Sequence, residues 1–178
     1  MRVGVAAPDF SSTDASGESF AVSNYRGSPM LLSFYRYAAC PLCNLRLHDL
    51  TGRWPDLAKR GLVGAAVFQS PVDSIKVHLT GHGERLRLIP DQDETLYALY
   101  GLEKSLAAFL SPKNLPRLVT AHRAGFPQRA IEGSFTRLPA DFLIDGDGIV
   151  RVAHYGQTLY DHIGFDVIDQ FLNDYPPH

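Results

Sequence analysis

The stretch Phe34-Tyr35-Arg36-Tyr37-Ala38-Ala39-Cys40-Pro41-Leu42-Cys43-Asn44-Leu45-Arg46-Leu47 holds both cysteines of a 178-residue chain, three positions apart. It opens inside Met30–Tyr35 (MLLSFY), a short apolar run of the kind that forms a buried strand. Leu62–Gln69 (LVGAAVFQ), introduced by Gly61, is a second such run. Between them Leu47, Leu50, Trp54, Leu57 and Ala58 recur at helical spacing from about residue 41, with a kink or restart expected at Pro55. Strand, helix and strand make a βαβ unit with the cysteines at its first strand-to-helix junction, and such units cross over right-handed.

Outward from this unit the pattern continues. Ser70-Pro71 reads as N-cap and first residue of a helix carrying Val72, Ile75 and Leu79 and ending near Gly81. Leu86–Ile89 alternates as a strand, and a further helix is expected from Asp93 to Gly101. Phe142–Asp145 and Ile149–Ala153 flank Gly146-Asp147-Gly148, which is hairpin chemistry, and a final amphipathic helix carries Val167, Ile168, Phe171 and Leu172. Parallel strands followed by an antiparallel pair describe one domain over residues 1–178. Residues from about 103 to 136, with Pro112, Pro116 and Pro127, fall outside the scheme and read as an inserted helix and loop.

Composition narrows the function classes. Apolar residues make up 45% and charged residues 20%, enough to bury a core. Seventeen basic against nineteen acidic residues give a net charge of −2, which offers nothing to nucleic acid or an anionic membrane. The opening MRVGVAAPDF lacks the apolar segment of a signal peptide, and no window approaches the roughly 18 apolar residues of a membrane span. Two cysteines fall short of a secreted disulfide framework. The expectation is a cytoplasmic protein, where a disulfide is transient.

Three roles compete for the cysteines. Pro41 suits a first helical position, so Cys40 falls at the N-cap and Cys43 at the third residue, where first-turn N–H groups and the helix dipole favour thiolate. A structural disulfide over so small a loop would restrict the unfolded chain by only about 2 kcal/mol, against about 3 for a 15-residue loop. Zinc would need two further ligands; His78 and His82 are spaced for it, but 34 residues separate Cys43 from His78. No metal and no cofactor is therefore assigned. C-x-x-C inside a βαβ unit fits redox exchange, with Cys40 at the exposed helix tip as the attacking sulfur. Arg36 and Arg46 can add positive potential, although the default for each is a solvated surface charge.

With these residues in view, the chain resembles the peroxiredoxin-like branch of the thioredoxin superfamily, the alkyl hydroperoxide reductase/thiol-specific antioxidant family. The likeness runs through Gly4-Val5-Ala6-Ala7-Pro8-Asp9-Phe10, Asn24-Tyr25-Arg26-Gly27, Ile89-Pro90-Asp91, Tyr100-Gly101 and Phe142-Leu143-Ile144-Asp145-Gly146-Asp147-Gly148. It implies an α/β thioredoxin fold, a central mixed sheet with helices on both faces. The family motif P-x-x-x-[T/S]-x-x-C places Cys43 at the peroxide-attacking position, Cys40 at the Thr/Ser position and Arg36 at the proline. The family's late arginine falls on or beside Pro139, with Arg137 two residues earlier.

The replacements are similar to thioredoxin: the C-x-x-C pair, and Leu138-Pro139 where thioredoxins place a cis-proline facing the disulfide. A cis Leu138–Pro139 bond close to Cys40 is thus expected, beside a free backbone edge for substrate. The buried acid of thioredoxin has no counterpart on the strand, where Ser33 stands. His48 and the Asp161-His162 pair read as surface or capping residues.

The resemblance implies an oxidoreductase with catalytic Cys40 and Cys43, supported by Pro41, Pro139, Arg36, Arg46 and Arg137. Its partners would be a protein or small-molecule disulfide, or a hydroperoxide, with a thiol reductant such as thioredoxin or glutathione. No nucleic acid or membrane is expected, and an oligomer is left open. Thiol–disulfide exchange leads, thiol peroxidation through Cys43 is the alternative, and a redox-sensing module without turnover is the third.

Overall fold

The computed structural model of the chain describes residues 1–79, 81–83, 86–128 and 131–177. An antiparallel hairpin, β1 (Ser11–Thr13) and β2 (Ser19–Ala21), precedes a 3-10 turn at Val22–Tyr25. The main sheet then forms from β3 (Met30–Phe34), β4 (Val63–Phe68), β5 (Arg87–Pro90), β6 (Ala140–Ile144) and β7 (Val150–Tyr155), in the order β5-β4-β3-β6-β7. β4 runs parallel to β3 and β5, whereas β6 is antiparallel to β3 and β7. This is the expected mixed sheet, with β3 central.

The unbroken apolar run of β3 follows from burial on both faces. Leu31 and Tyr35 pack with Leu42, Leu47, Leu50, Trp54 and Leu57 of α1 (Pro41–Lys59) and with Ile168, Phe171 and Leu172 of α6 (Phe165–Asp174). Met30, Leu32 and Phe34 point to the other side, against Phe10, Phe20, Tyr97 and Tyr100. α1 runs through Pro55 as one helix, so no restart occurs there. The cost there is the one hydrogen bond that proline cannot offer to the carbonyl a turn earlier.

The next two helices are short: α2 (Val72–His78) and α3 (Thr95–Leu99). α2 begins one residue later than expected, with Pro71 as its cap and no side-chain cap bond. Ser70 is engaged elsewhere: its Oγ accepts from the Ala38 N–H at 2.8 Å. α3 is capped by Asp91, whose carboxylate accepts from the N–H groups of Thr95, Leu96 and Tyr97.

Residues between α3 and β6 build α4 (Leu106–Phe109), a 3-10 turn at Pro112–Asn114 and α5 (Leu115–Arg123). Their base is closed by an antiparallel bridge between Lys104 and Arg137, with the Ser105 N–H on the Thr136 carbonyl at 2.8 Å.

Gly64 marks the tightest packing between sheet and helix. A Cβ there would meet Leu86 at 2.2 Å and Trp54 at 2.3 Å. Gly64→Ala is therefore expected to destabilise the fold by about 1–3 kcal/mol through overpacking, read as a lowered thermal midpoint with the fold retained. An unchanged midpoint would contradict this packing.

Candidate active site

β3 ends at Phe34, and residues 35–40 turn over the sheet edge into α1. The turn is pinned on both sides. The Tyr35 N–H donates to Val67 O at 2.9 Å, Gln69 N–H to Arg36 O at 2.8 Å, and Asn44 Nδ2 to Ala38 O at 2.6 Å and Cys40 O at 2.8 Å. Cys40 is the N-cap of α1 with Pro41 next, as the sequence predicts, and its Sγ accepts from the Cys43 N–H at 3.2 Å. Both cysteines are free thiols and lie together in one buried cluster.

The surroundings of the pair differ from expectation in one respect that matters. Cys40 is 0% exposed and Cys43 2%, so the helix tip is not an open position. Arg36 is buried too, at 4%, and is no solvated charge: Nη2 donates to Cys40 Sγ at 2.9 Å and Nη1 to Phe135 O at 3.1 Å. A buried guanidinium needs an anionic or carbonyl partner on each arm, and here the sulfur supplies one.

The two thiols are driven apart in acidity. Burial alone pushes the Cys40 thiol up, but the hydrogen bond from Cys43, the Arg36 guanidinium and the first-turn N–H groups outweigh it and bring it down to about 6. Burial pushes the Cys43 thiol well up, and the neighbouring Cys40 sulfur adds to that rise. Of the two thiols, Cys40 is the more acidic.

Arg46 is likewise buried and not solvated. Its Nη2 donates to Ile163 O at 2.8 Å and its guanidinium lies 4.6 Å from the Phe165 ring centroid, which ties α1 to the start of α6. Arg137 is brought elsewhere: it pairs with Glu94, donates to Leu102 O at 2.8 Å and lies over Tyr97. These contacts occupy the arginine that could have faced a peroxide.

The expected cis-proline is overturned. No described peptide bond is cis, so Leu138–Pro139 is trans. Its backbone edge is not free either, because Pro139 O accepts from Gly156 N–H at 2.9 Å. β7 thus continues its pairing across the place where a substrate strand would have added. Pro139 lines a separate cleft with Met1, Leu102, Tyr155 and Gln157.

A buried acid does exist, supplied by a different strand from the one expected. Asp141 on β6 is the register partner of Ser33 on β3 and is 0% exposed. Its carboxylate meets His162 Nδ1 at 3.0 Å and accepts from Ile163 N–H at 2.8 Å. Burial would raise its pKa, but His162, Arg46 and Ser33 hold it well below the usual carboxylate range. His162 is therefore not a surface cap; α6 is capped by Gly164, and Asp161 accepts from Gln157 N–H instead. Its ring lies 4.8 Å from that of Tyr35, whose hydroxyl is buried with no hydrogen-bond partner among the described residues. The signal available in the sequence was Asp141 inside an otherwise apolar strand, ADFLI.

His48 is exposed, with Phe126 against its ring. His78 and His82 line a cleft of about 290 Å³ with Ala39, Asn44 and Phe126. No group of three or more His, Cys, Asp or Glu that could hold a metal occurs among the described residues. Among those residues, no helix is long and apolar enough to cross a membrane.

Comparison with known proteins places this geometry. The family model described as AhpC/TSA matches residues 3–153. A candidate peroxiredoxin of Mycobacterium tuberculosis is 23% identical over 166 residues, 92% of this chain and 90% of its own. Among solved structures, peroxidoxin BcpB from Mycobacterium tuberculosis superposes with a TM-score of 0.68 at 18% identity, covering 98% of this chain and 97% of that one. A candidate thiol:disulfide interchange protein, DsbE, from Chlorobium tepidum gives 0.61 at 18% identity over 98% and 97% of the two chains. At these identities the structures speak for the thioredoxin fold.

Proposed function

The chain belongs to the AhpC/TSA family, and on that footing we propose that it is a thiol–disulfide oxidoreductase working through Cys40 and Cys43. The observation that carries this reading is the seat of the Cys40 sulfur, held by Arg36 Nη2 at 2.9 Å and by the Cys43 N–H at 3.2 Å. The Cys40 thiolate attacks one sulfur of a substrate disulfide; that S–S bond breaks, a Cys40–substrate disulfide forms, and one substrate thiolate leaves. Cys43 then gives up its proton and attacks the Cys40 sulfur, closing Cys40–Cys43 and releasing the second substrate thiolate. We place the cycle in the cytoplasm, with a thiol reductant such as thioredoxin or glutathione returning the pair to dithiol.

Thiol peroxidation through Cys43 is the competing chemistry, since Cys43 occupies the family's peroxide-attacking position. It is disfavoured because the Cys43 thiol is pushed up and because Arg137 is engaged by Glu94 and Leu102.

The test is the pH dependence of Cys40 alkylation. With its pKa near 6, Cys40 should react half-maximally near that pH. Arg36→Met should move the midpoint up to about 8.5 or beyond, the range of an ordinary thiol. At pH 6 the thiolate fraction would fall about 150-fold, while the more basic thiolate regains about tenfold in nucleophilicity, leaving a net loss of roughly tenfold. Because Arg36→Met also frees the Phe135 carbonyl, the midpoint and not the plateau is diagnostic. A midpoint unmoved by Arg36→Met would contradict the reading.

A further inference from the structure

The sulfur assigned to the attack is fully buried, so no disulfide can reach it in this arrangement. The strap of chain that meets Arg36 and Ser70 beside this sulfur is residues 131–137, and its anchors are specific. Glu132 Oε2 accepts from Ser70 Oγ at 2.9 Å and from Ser74 Oγ, and Ser70 Oγ in turn holds the Ala38 N–H of the redox turn. Ser134 N–H donates to Gln69 Oε1 at 2.7 Å, and Phe135 O accepts from Arg36 Nη1 at 3.1 Å.

The last two contacts are of one kind. A backbone N–H and the carbonyl of the next residue are held by two buried side chains, and the second of those side chains also grips Cys40 Sγ. Backbone groups are common to every polypeptide, so another chain can take the same two bonds. Gln69 is 1% exposed, and its Nε2 has no hydrogen-bond partner among the described residues, which leaves a spare donor for a further carbonyl. The strap is seated by the bare backbone of Gly133: a Cβ there would meet Gln69 Oε1 at 2.7 Å and Gln69 Cβ at 2.8 Å.

We propose that residues 131–137 stand in for substrate, and that the site they cover binds the backbone of a polypeptide segment beside a disulfide through Gln69 and Arg36. The inference rests on the assignment of Cys40 as the attacking sulfur and adds to it the class of substrate. The strap leaves, the segment takes its bonds on Gln69 and Arg36, and Cys40 is uncovered beside the incoming S–S bond. A small disulfide needs the first of these events and gains nothing from the second.

Two substitutions separate opening from recognition, read as single-turnover rates of the reduced full-length protein with insulin and with hydroxyethyl disulfide. Gly133→Ala pushes the strap off while leaving Gln69 and Arg36 in place, so both rates should rise several-fold. Gln69→Leu loosens the strap but removes the backbone anchor. The hydroxyethyl disulfide rate should rise, whereas the insulin rate should fall about 3- to 10-fold, the worth of one such hydrogen bond.

A loosening of structure alone would move both probes in the same direction, and that result overturns the proposal, as does a Gly133→Ala protein with both rates unchanged. A measurement independent of Gln69→Leu folding uses the Gly133→Ala protein with carboxymethylated insulin B chain, which carries no disulfide. It should slow the insulin reaction competitively, and absence of inhibition overturns the proposal. Should Cys40→Ser retain disulfide exchange, the assignment of the site itself fails; with Cys40 essential, the outcomes above bear on the strap alone.

Discussion

Cys43→Ser protein mixed with insulin is expected to accumulate a covalent adduct on Cys40, and Cys40→Ser protein to form none. The first substitution removes the sulfur that would release the mixed disulfide and leaves the Cys40 thiolate with its Arg36 contact. Serine at 43 retains the backbone N–H that bonds Cys40 Sγ. The second substitution removes the nucleophile, and the rate of the first half-reaction should fall by at least about 10³. Cys43 cannot take over readily, because burial keeps its proton on. Intact-mass spectrometry of samples quenched in acid reads both outcomes. Adducts of equal yield on both variants would remove the asymmetry on which the assignment depends.

The second large effect concerns the buried acid. Asp141→Asn should destabilise the protein at neutral pH by about 3–5 kcal/mol, because it leaves His162 and the Ile163 N–H facing a neutral amide in a site with no water access. The pH dependence carries a sign that identifies the cause. Asp141 has a depressed pKa in the folded protein, so its contribution is fully present above the unfolded-state value of about 3.9 and is lost as pH falls through and below it. The stability gap between wild type and Asp141→Asn should therefore narrow by about 1–2 kcal/mol between pH 4 and pH 2.5. Denaturant titrations of both proteins measure it, since the other carboxylates titrate alike in each. A gap that stays constant over that interval would show that the carboxylate is not held ionised in the fold.

Which parts of this arrangement could be read in the residues follows from what each part depends on. β3 and β4 are buried on both faces, so their apolar runs announce them without any knowledge of what packs there. The capping position of Cys40 is equally local, needing a strand end, Pro41 and a helical pattern within a few residues. The burial of Arg36 and Arg46 is not legible locally, because exposure is the default for arginine and the partners that hold them, Phe135 and Ile163, are 99 and 117 residues away along the chain. Asp141 needed the register of β6 against β3 before it could be seen opposite Ser33.

Dependence on distant partners also hides other features of the corner. Pro139 has the sequence position of a substrate-facing proline, but β7 pairs on through Gly156 and takes the edge. Residues 131–137 carry no periodicity, since they are held by Ser70, Gln69 and Arg36 and not by a ladder of their own. The short β1–β2 hairpin, three residues a side, was below what alternation can reveal.

The most direct test of Cys40 as the attacking thiolate is the reaction of each single-cysteine variant with hydrogen peroxide, followed by its consumption and by trapping of sulfenic acid. The expected result is slow consumption by Cys40→Ser, with no rapid sulfenate on Cys43, beside fast adduct formation with insulin by Cys43→Ser. Rapid peroxide consumption by Cys40→Ser, abolished in Cys43→Ser, would contradict that assignment and make Cys43 the reactive sulfur of a peroxidase.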